Sequence, residues 1–346
     1  MKPAITRFDR FGARTLVLAA LGIAAIGALP QTARAATSES TTLAIPAENL
    51  GFISRYVAED EGLWKQQGLD VKVLDIQGIG SMNAVISGSV DFSMSSGPSI
   101  TRADARGRNL VALATGIDQS DEYIVIRKSI AEAAHFNPDA PLAERGKILE
   151  GKTIAVGGAA AIPDIVLKVV AHLAGVARES VTTTPMTPPE FMAAFDRKSI
   201  DGFVSGPPFT QEALIAGTGV LVSDAAKGEP QQYSPVSSAL LLSRKDFCSA
   251  HRSICVKMVH GIVEAAKFIH AHPKQTLAIL KKHFGKYNDK VLEASYQALA
   301  AMTPVPPITT PKSLENADDM NIAAGFMPAS AKLADYAAII DNQFTK

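Results

Sequence analysis

An excess of either charge is missing from this sequence: Lys plus Arg and Asp plus Glu number 34 each. No overall field therefore draws the chain to nucleic acid or to an acidic surface. Aromatics are also scarce, at 6%, and no basic run follows the N-terminal segment, so no nucleic-acid partner is expected. Catalytic signatures are absent too. No H-E-x-x-H, C-x-x-C or G-x-S-x-G occurs past that segment. His172, His251, His260, His270, His272 and His283 fall mostly on helical stretches. Ser-rich loops without a placed His do not make a hydrolase. No catalytic residue, no metal site and no cofactor is expected.

Long apolar runs are nearly absent as well. The one exception is Thr15 to Leu29, preceded by Lys2, Arg7, Arg10 and Arg14 and followed by Ala33-Arg34-Ala35. A basic start, an apolar middle and an A-x-A exit read as a cleavable signal peptide over residues 1–35. The run is shorter than the ~20 residues that a membrane span needs. No adjacent Arg pair suggests a twin-arginine route, and no Cys follows the run to take a lipid. The expected location is the periplasm, free of a lipid anchor. Cysteine is rare, with only Cys248 and Cys255. Seven positions apart in one continuous helix, they would stand about 10 Å apart, too far to bridge. A disulfide becomes possible only if Cys248 sits in a turn before the helix; two buried thiols are the alternative.

What is present is 47% hydrophobic residues, ample for a large core, and an alternation of short strands and helices. Gln77 to Ile100 shows the unit: a loop opened by Gly78 and Gly80, a helix carrying Met82, Val85 and Ile86, a stop at Gly88, and a strand to Met94. The loop Ser95-Ser96-Gly97-Pro98-Ser99 then leads into the next helix. Around it, strands are expected at Thr42–Ile45, Val71–Leu74, Leu110–Ala114 and Tyr123–Arg127. The pattern restarts with strands at Lys152–Val156, Gly202–Val204 and Val220–Leu221, and helices at Ile165–Leu173 and Glu190–Arg197. Such alternation calls for parallel strands covered on both faces. Tyr123–Arg127 and Ser237–Ser243 read as paired crossings between lobe I (41–126 and 238–346) and an inserted lobe II (127–237). The C-terminal part is helical, with helices expected at Ile254–His270, Gln275–His283, Asp289–Met302 and Ala331–Gln343, and a linker at Pro304–Pro311.

Ligands of open α/β sheets collect where strands end and helices begin, because free N–H groups and the positive helix end point there. Four loops qualify: Asn49–Phe52, Ser95–Ser99, Gly157–Pro163 and Ser205–Phe209. Asn49, Ser96, Ser99, Asp118 and Gln119 would orient a polar head. Gly80, Gly97, Ala159, Ala160 and Ser205 would approach through the backbone or a small side chain. Phe52, Pro207 and Phe209 would supply apolar wall. That mixture suits an organic ligand with a polar head better than a bare oxyanion. Asp118 favours a donor on the ligand, since a carboxylate repels an anion; its plainer role is a hinge-loop turn. Arg55 reads as a counter-ion or, preferably, a solvated face residue. Trp64 reads as a helix-end packing residue, and Tyr233 as hinge-side or surface.

Val57-Ala58-Glu59-Asp60-Glu61-Gly62-Leu63-Trp64, Gly68-Leu69-Asp70-Val71, Gly88-Ser89-Val90-Asp91-Phe92, Gly151-Lys152-Thr153-Ile154-Ala155-Val156 and Ser199-Ile200-Asp201-Gly202-Phe203 carry a family likeness. Through them the chain resembles the periplasmic substrate-binding proteins of the nitrate, sulfonate and taurine (SsuA/THI5-like, NMT1-like) ABC transporter family. The resemblance implies a type II periplasmic-binding-protein fold: two α/β lobes with mixed sheets flanked by helices and a two-strand hinge. It also implies a monomeric receptor that closes on a small-molecule ligand (a sulfonate, carboxylate or heterocycle) and docks on a membrane permease with its ATPase subunits. Ala159-Ala160-Ala161 departs from the Ser or Thr common in the family's oxyanion binders. The Cys-rich motif of the related pyrimidine-precursor enzymes is missing. Such an enzyme and a ligand-sensing ectodomain are the alternatives.

Overall fold

The computed structural model describes residues 38–345; the leader read at 1–35 lies outside them. The chain first lays down β1 (Glu39–Ile45), α1 (Ile53–Asp60), β2 (Leu69–Asp75), α2 (Gly80–Ser87), β3 (Phe92–Ser95), α3 (Gly97–Asp104) and β4 (Leu110–Ile117). It then repeats the scheme with β5 (Tyr123–Arg127), α4 (Lys128–Ala133), α5 (Leu142–Arg145), β6 (Thr153–Val156), α6 (Ile162–Leu173), β7 (Thr182–Pro185), α7 (Pro188–Asp196), β8 (Gly202–Ser205), α8 (Phe209–Ile215) and β9 (Gly219–Ser223). Last come β10 (Ala239–Arg244), α9 (Lys245–Ala250), α10 (Arg252–Ala271), α11 (Pro273–His283), α12 (Asp289–Ala301) and α13 (Pro311–Ala323).

Two five-stranded sheets result, ordered β2-β1-β3-β10-β4 and β7-β6-β8-β5-β9. In each, four strands point the same way and the fifth, β10 or β5, lies antiparallel between two of them. The mixed sheets thus share one topology, with β10 and β5 exchanged between halves. Tyr123–Arg127 and Ser237–Ser243 are accordingly not a crossing pair. β5 pairs with β8 and β9 in the second sheet, and β10 pairs with β3 and β4 in the first. Each is buried up to its terminal Arg because it is an internal strand covered on both faces, and the boundary expected at residue 126 falls inside β5. The crossings lie just before these strands, where the Ser238 N–H donates to the Ile117 carbonyl at 2.9 Å and the Val236 N–H to the Asp118 carbonyl at 3.0 Å.

Local chemistry accounts for most element ends. Gly88 closes α2 in the left-handed region at φ 79°, where an L side chain is strained. Thr187 and Glu190 form a capping box at the start of α7. Strand β3 is buried throughout. The helix expected at Ala331–Gln343 is instead three single 3-10 turns, while α13 forms where a linker ended. Thr310 caps α13, its hydroxyl accepting the Ser313 N–H, and Pro311 occupies the first turn. α13 packs against both α3 and α6 and so straddles the two halves.

Cys248 and Cys255 form a disulfide with Cα atoms 5.7 Å apart. The bridge is possible because the helix breaks at His251, leaving Cys248 in the separate α9. Trp64 is buried and donates its indole N–H to the Met258 carbonyl at 3.0 Å. Arg55 proves neither solvated nor cleft-lining: it is buried, lies over the Tyr56 ring and pairs with Glu59 at 2.9 Å. Tyr233 is half-buried against the core of the second half. Among the described residues, no helix is long and apolar enough to cross a membrane.

Candidate functional site

The two sheets aim the C-terminal ends of their parallel strands at a shared cleft, where β1, β3, β6 and β8 stop and the chain turns toward a helix. The cleft holds a cavity lined from both sheets. Its first wall carries Asn49, Phe52, Ser95, Ser96 and Ser99; its second carries Ala160, Ala161, Ile162, Phe191 and Ser205. Ser96 and Ser205, the counterpart loops, therefore open onto one space.

The cavity also takes in residues not expected there: Gly78 and Ile79 line it in place of Gly80, together with Pro46, Ala47 and Pro188. Ser238 comes from the hinge. Of the remaining expected residues, Gly97 turns away: its N–H donates to the Ser237 carbonyl at 2.7 Å, and α13 packs on its α-carbon. Asp118 holds the crossing, donating its N–H to the Met302 carbonyl at 3.0 Å and accepting from Val236. Gln119 approaches the turn at Gly228. Neither lines the cavity, and nor does Ala159. Pro207 joins the halves through its carbonyl, which accepts the Leu50 N–H at 3.0 Å. Phe209 is buried behind the wall, edge-on to Phe191 at 5.6 Å and to Tyr287 at 6.0 Å.

Several helix starts are less open to an anion than their position suggests. Ala160 donates its N–H to the Asp164 carboxylate at 2.7 Å, and Lys168 neutralises that carboxylate at 2.9 Å. Asn49 uses its side-chain oxygen to accept the Gly51 N–H at 2.8 Å. The Ser96 and Ser99 hydroxyls meet each other at 3.0 Å. Arg102 crosses from α3 to the second wall, donating to the Ala160 carbonyl at 2.7 Å and to Asn321 at 3.1 Å. Burial, with the nearby Arg106 charge, brings its guanidinium down to about 10.

The floor was not foreseen. Asp121 and Glu122, on the segment that leads out of the hinge into β5, are buried side by side. The Asp121 carboxylate accepts from the Ser238 hydroxyl and sits between Gly51 and Gly206. A Cβ on Gly51 would run into it, and one on Gly206 would stand 2.9 Å from the Asp121 carbonyl oxygen. Glu122 lines the cavity, and its Oε2 has no hydrogen-bond partner. Burial, then the Asp121 charge, pushes the Glu122 carboxyl well above its ordinary range; burial also raises Asp121. The available signal was an acidic pair set directly before a wholly apolar strand.

Residues 49–276 match the family model described as NMT1/THI5 like, a span of well over half the chain. The chain belongs to the NMT1/THI5-like family. A Brucella abortus protein provisionally described as a binding protein is 25% identical over 247 residues, 67% of this chain and 70% of that one. The fold is that of several solved structures. A Bordetella bronchiseptica protein superposes with a TM-score of 0.78 at 18% identity, over 88% of this chain and 95% of its own. The nitrate-binding protein NrtA of Synechocystis gives 0.71 at 14% identity, over 88% and 86%. The alkanesulfonate-binding protein SsuA of Xanthomonas axonopodis, bound to MOPS, gives 0.69 at 16%, over 89% and 100%. They share the type II periplasmic-binding-protein fold with this chain.

Proposed function

We propose that this chain is the extracytoplasmic solute receptor of an ABC importer: it captures a small organic molecule between its halves and delivers it to a membrane permease. The observation that carries the reading is the single cavity to which the counterpart loops of both sheets contribute. A ligand touching both walls favours the shut arrangement by its differential affinity for it. The halves are 41–117 with 238–346 and 123–237, with the first crossing at residues 118–122. A monomer docking transiently on permease and ATPase, after export by the basic and apolar leader, completes the proposal.

The experiment is mass spectrometry of what gently isolated protein releases on denaturation, followed by add-back. The released molecule should raise the melting temperature, in line with about 2.7 kcal/mol at a hundredfold excess over Kd. Protein that releases nothing and gains no stability from any of a broad panel of amines, carboxylates, sulfonates and heterocycles would end the receptor reading. Conversion of the released molecule by the purified protein would favour a pyrimidine-precursor enzyme instead. Association with a signalling kinase in place of a permease would favour a sensor.

A further inference from the structure

Among the described residues, Glu122 is the only ionisable side chain that lines the cavity; no Lys, Arg or His of theirs does so. The residue is 4% exposed, and its backbone is fixed by its own N–H, which donates to the Ser120 hydroxyl at 3.3 Å. Its neighbour Asp121 has a donor in Ser238, whereas Oε2 of Glu122 has none. A buried carboxylate with no donor is destabilising unless something else supplies one, and no hydrogen bond from another side chain reaches this residue, which lines the cavity. An anionic head placed there would meet a carboxylate with no counter-cation in the lining. The helix start best placed to help it, that of α6, already holds the Asp164 carboxylate. Both walls above also carry apolar side chains, Phe52 and Ile79 on one side and Ile162 and Phe191 on the other.

We infer that the cleft takes a small, flat organic cation whose ammonium or amidinium N–H groups bond to the Glu122 carboxylate, with its apolar body held between Phe52 and Ile162. The inference rests on the solute-receptor reading and narrows its ligand class. A charge-assisted bond of this kind favours the ionised carboxylate. The hydroxyls of Ser96 and Ser99 are within the same lining to take further polar groups.

The test uses probes that share a ring and differ in their heads: benzamidine, benzylamine, benzamide, benzoate and benzenesulfonate, each added at millimolar concentration to the purified protein and read by thermal shift and calorimetry. Benzamidine and benzylamine should bind, and the other three should not. Glu122→Gln should melt cooperatively and lose at least tenfold in benzamidine affinity. If Glu122→Gln does not fold, Glu122→Asp keeps the charge and should still prefer benzamidine to benzamide. Binding of benzoate or benzenesulfonate, equal binding of benzamide and benzamidine, or benzamidine affinity surviving Glu122→Gln within threefold would each overturn the assignment. So would a panel in which nothing binds. Any of these results leaves the receptor reading to the co-purification experiment, which does not depend on the ligand's charge.

Discussion

The two walls of the cleft grow from the same places on the same topology, and their chemistry is unlike. The first wall offers an amide and hydroxyls from Asn49, Ser95, Ser96 and Ser99, while the second offers Gly157, Ala160, Ala161, Ile162 and Phe191, with Ser205 its one hydroxyl. They also differ in how tightly they are built. Gly51, at the foot of the first wall, has no room for a Cβ because the Asp121 carboxylate fills it. Gly157, on the second, has no other residue's heavy atom within 4 Å of where a Cβ would stand. The first wall and the hinge floor are thus arranged to recognise a polar head, and the second to cover an apolar body. Topology places both loops at the cleft; side chains decide which one reads the ligand.

If the second wall is a rigid apolar cover, cutting its support should have the largest effect. Phe191 is buried, stacked on Phe203 at 5.0 Å and edge-on to Phe209. Phe191→Ala should lower stability by about 3–5 kcal/mol, the usual range for a large core truncation, measured by urea unfolding. A loss below about 1 kcal/mol would mean that the wall is free to collapse and is not a packed cover. The next effect sharpens the contrast between the two glycines. Gly51→Ala should lose about 1–3 kcal/mol by overpacking, and Gly157→Ala should be close to neutral in the same assay. Equal effects would show that the two walls are equally tight.

Much of this architecture was legible in the sequence because strand–helix alternation and glycine stops are local signals. β1, β2, β5, β6, β8 and β10 lie within a few residues of where their apolar runs place them. What stayed illegible was set by distant partners. β5 and β10 are both apolar, and only the sheet each enters shows that they do not cross as a pair. β7 (Thr182–Pro185) has an exposed, Thr-rich sequence that offers no strand-like alternation of burial. The cavity contains Asn49, Phe52, Ser96, Ser99, Ala160 and Ser205, all on loops that the strand ends identify. Phe209 and Pro207, on one of the same loops, fall behind the wall because α8 turns into the core, which no local pattern records. Asp118 drew attention as a carboxylate near the hinge. Glu122, four residues on, holds the position at the cavity floor because the chain turns into β5 there.

A smaller effect should come from Ala160, where the second wall is strained. Its φ is 56°, in a region that disfavours an L side chain, and its backbone is pinned by Arg102 on one side and Asp164 on the other. Ala160→Gly should stabilise by about 1 kcal/mol, the relief of the left-handed conformation less the added freedom of the unfolded chain. A destabilised variant would mean that the Ala160 methyl group contributes more to the apolar cover than its conformation costs.

The smallest effect concerns the floor on which both walls stand, and its sign is fixed by burial. Glu122 holds its proton more tightly when folded than when unfolded, where its ordinary value is 4.5. Between those two values the folded chain binds more protons, so stability falls as pH rises through the folded pKa and is fully present below the unfolded one. Ligand-free protein should therefore gain stability, relative to Glu122→Gln, as pH drops from 8 toward 5; Asp121, raised in the same direction, stays in both proteins and largely cancels. Melting temperatures of the two proteins across that range give the difference directly. Curves that run parallel would mean that Glu122 meets water or a donor in the cleft, and the polar floor would then belong to Asp121 and Ser238 alone.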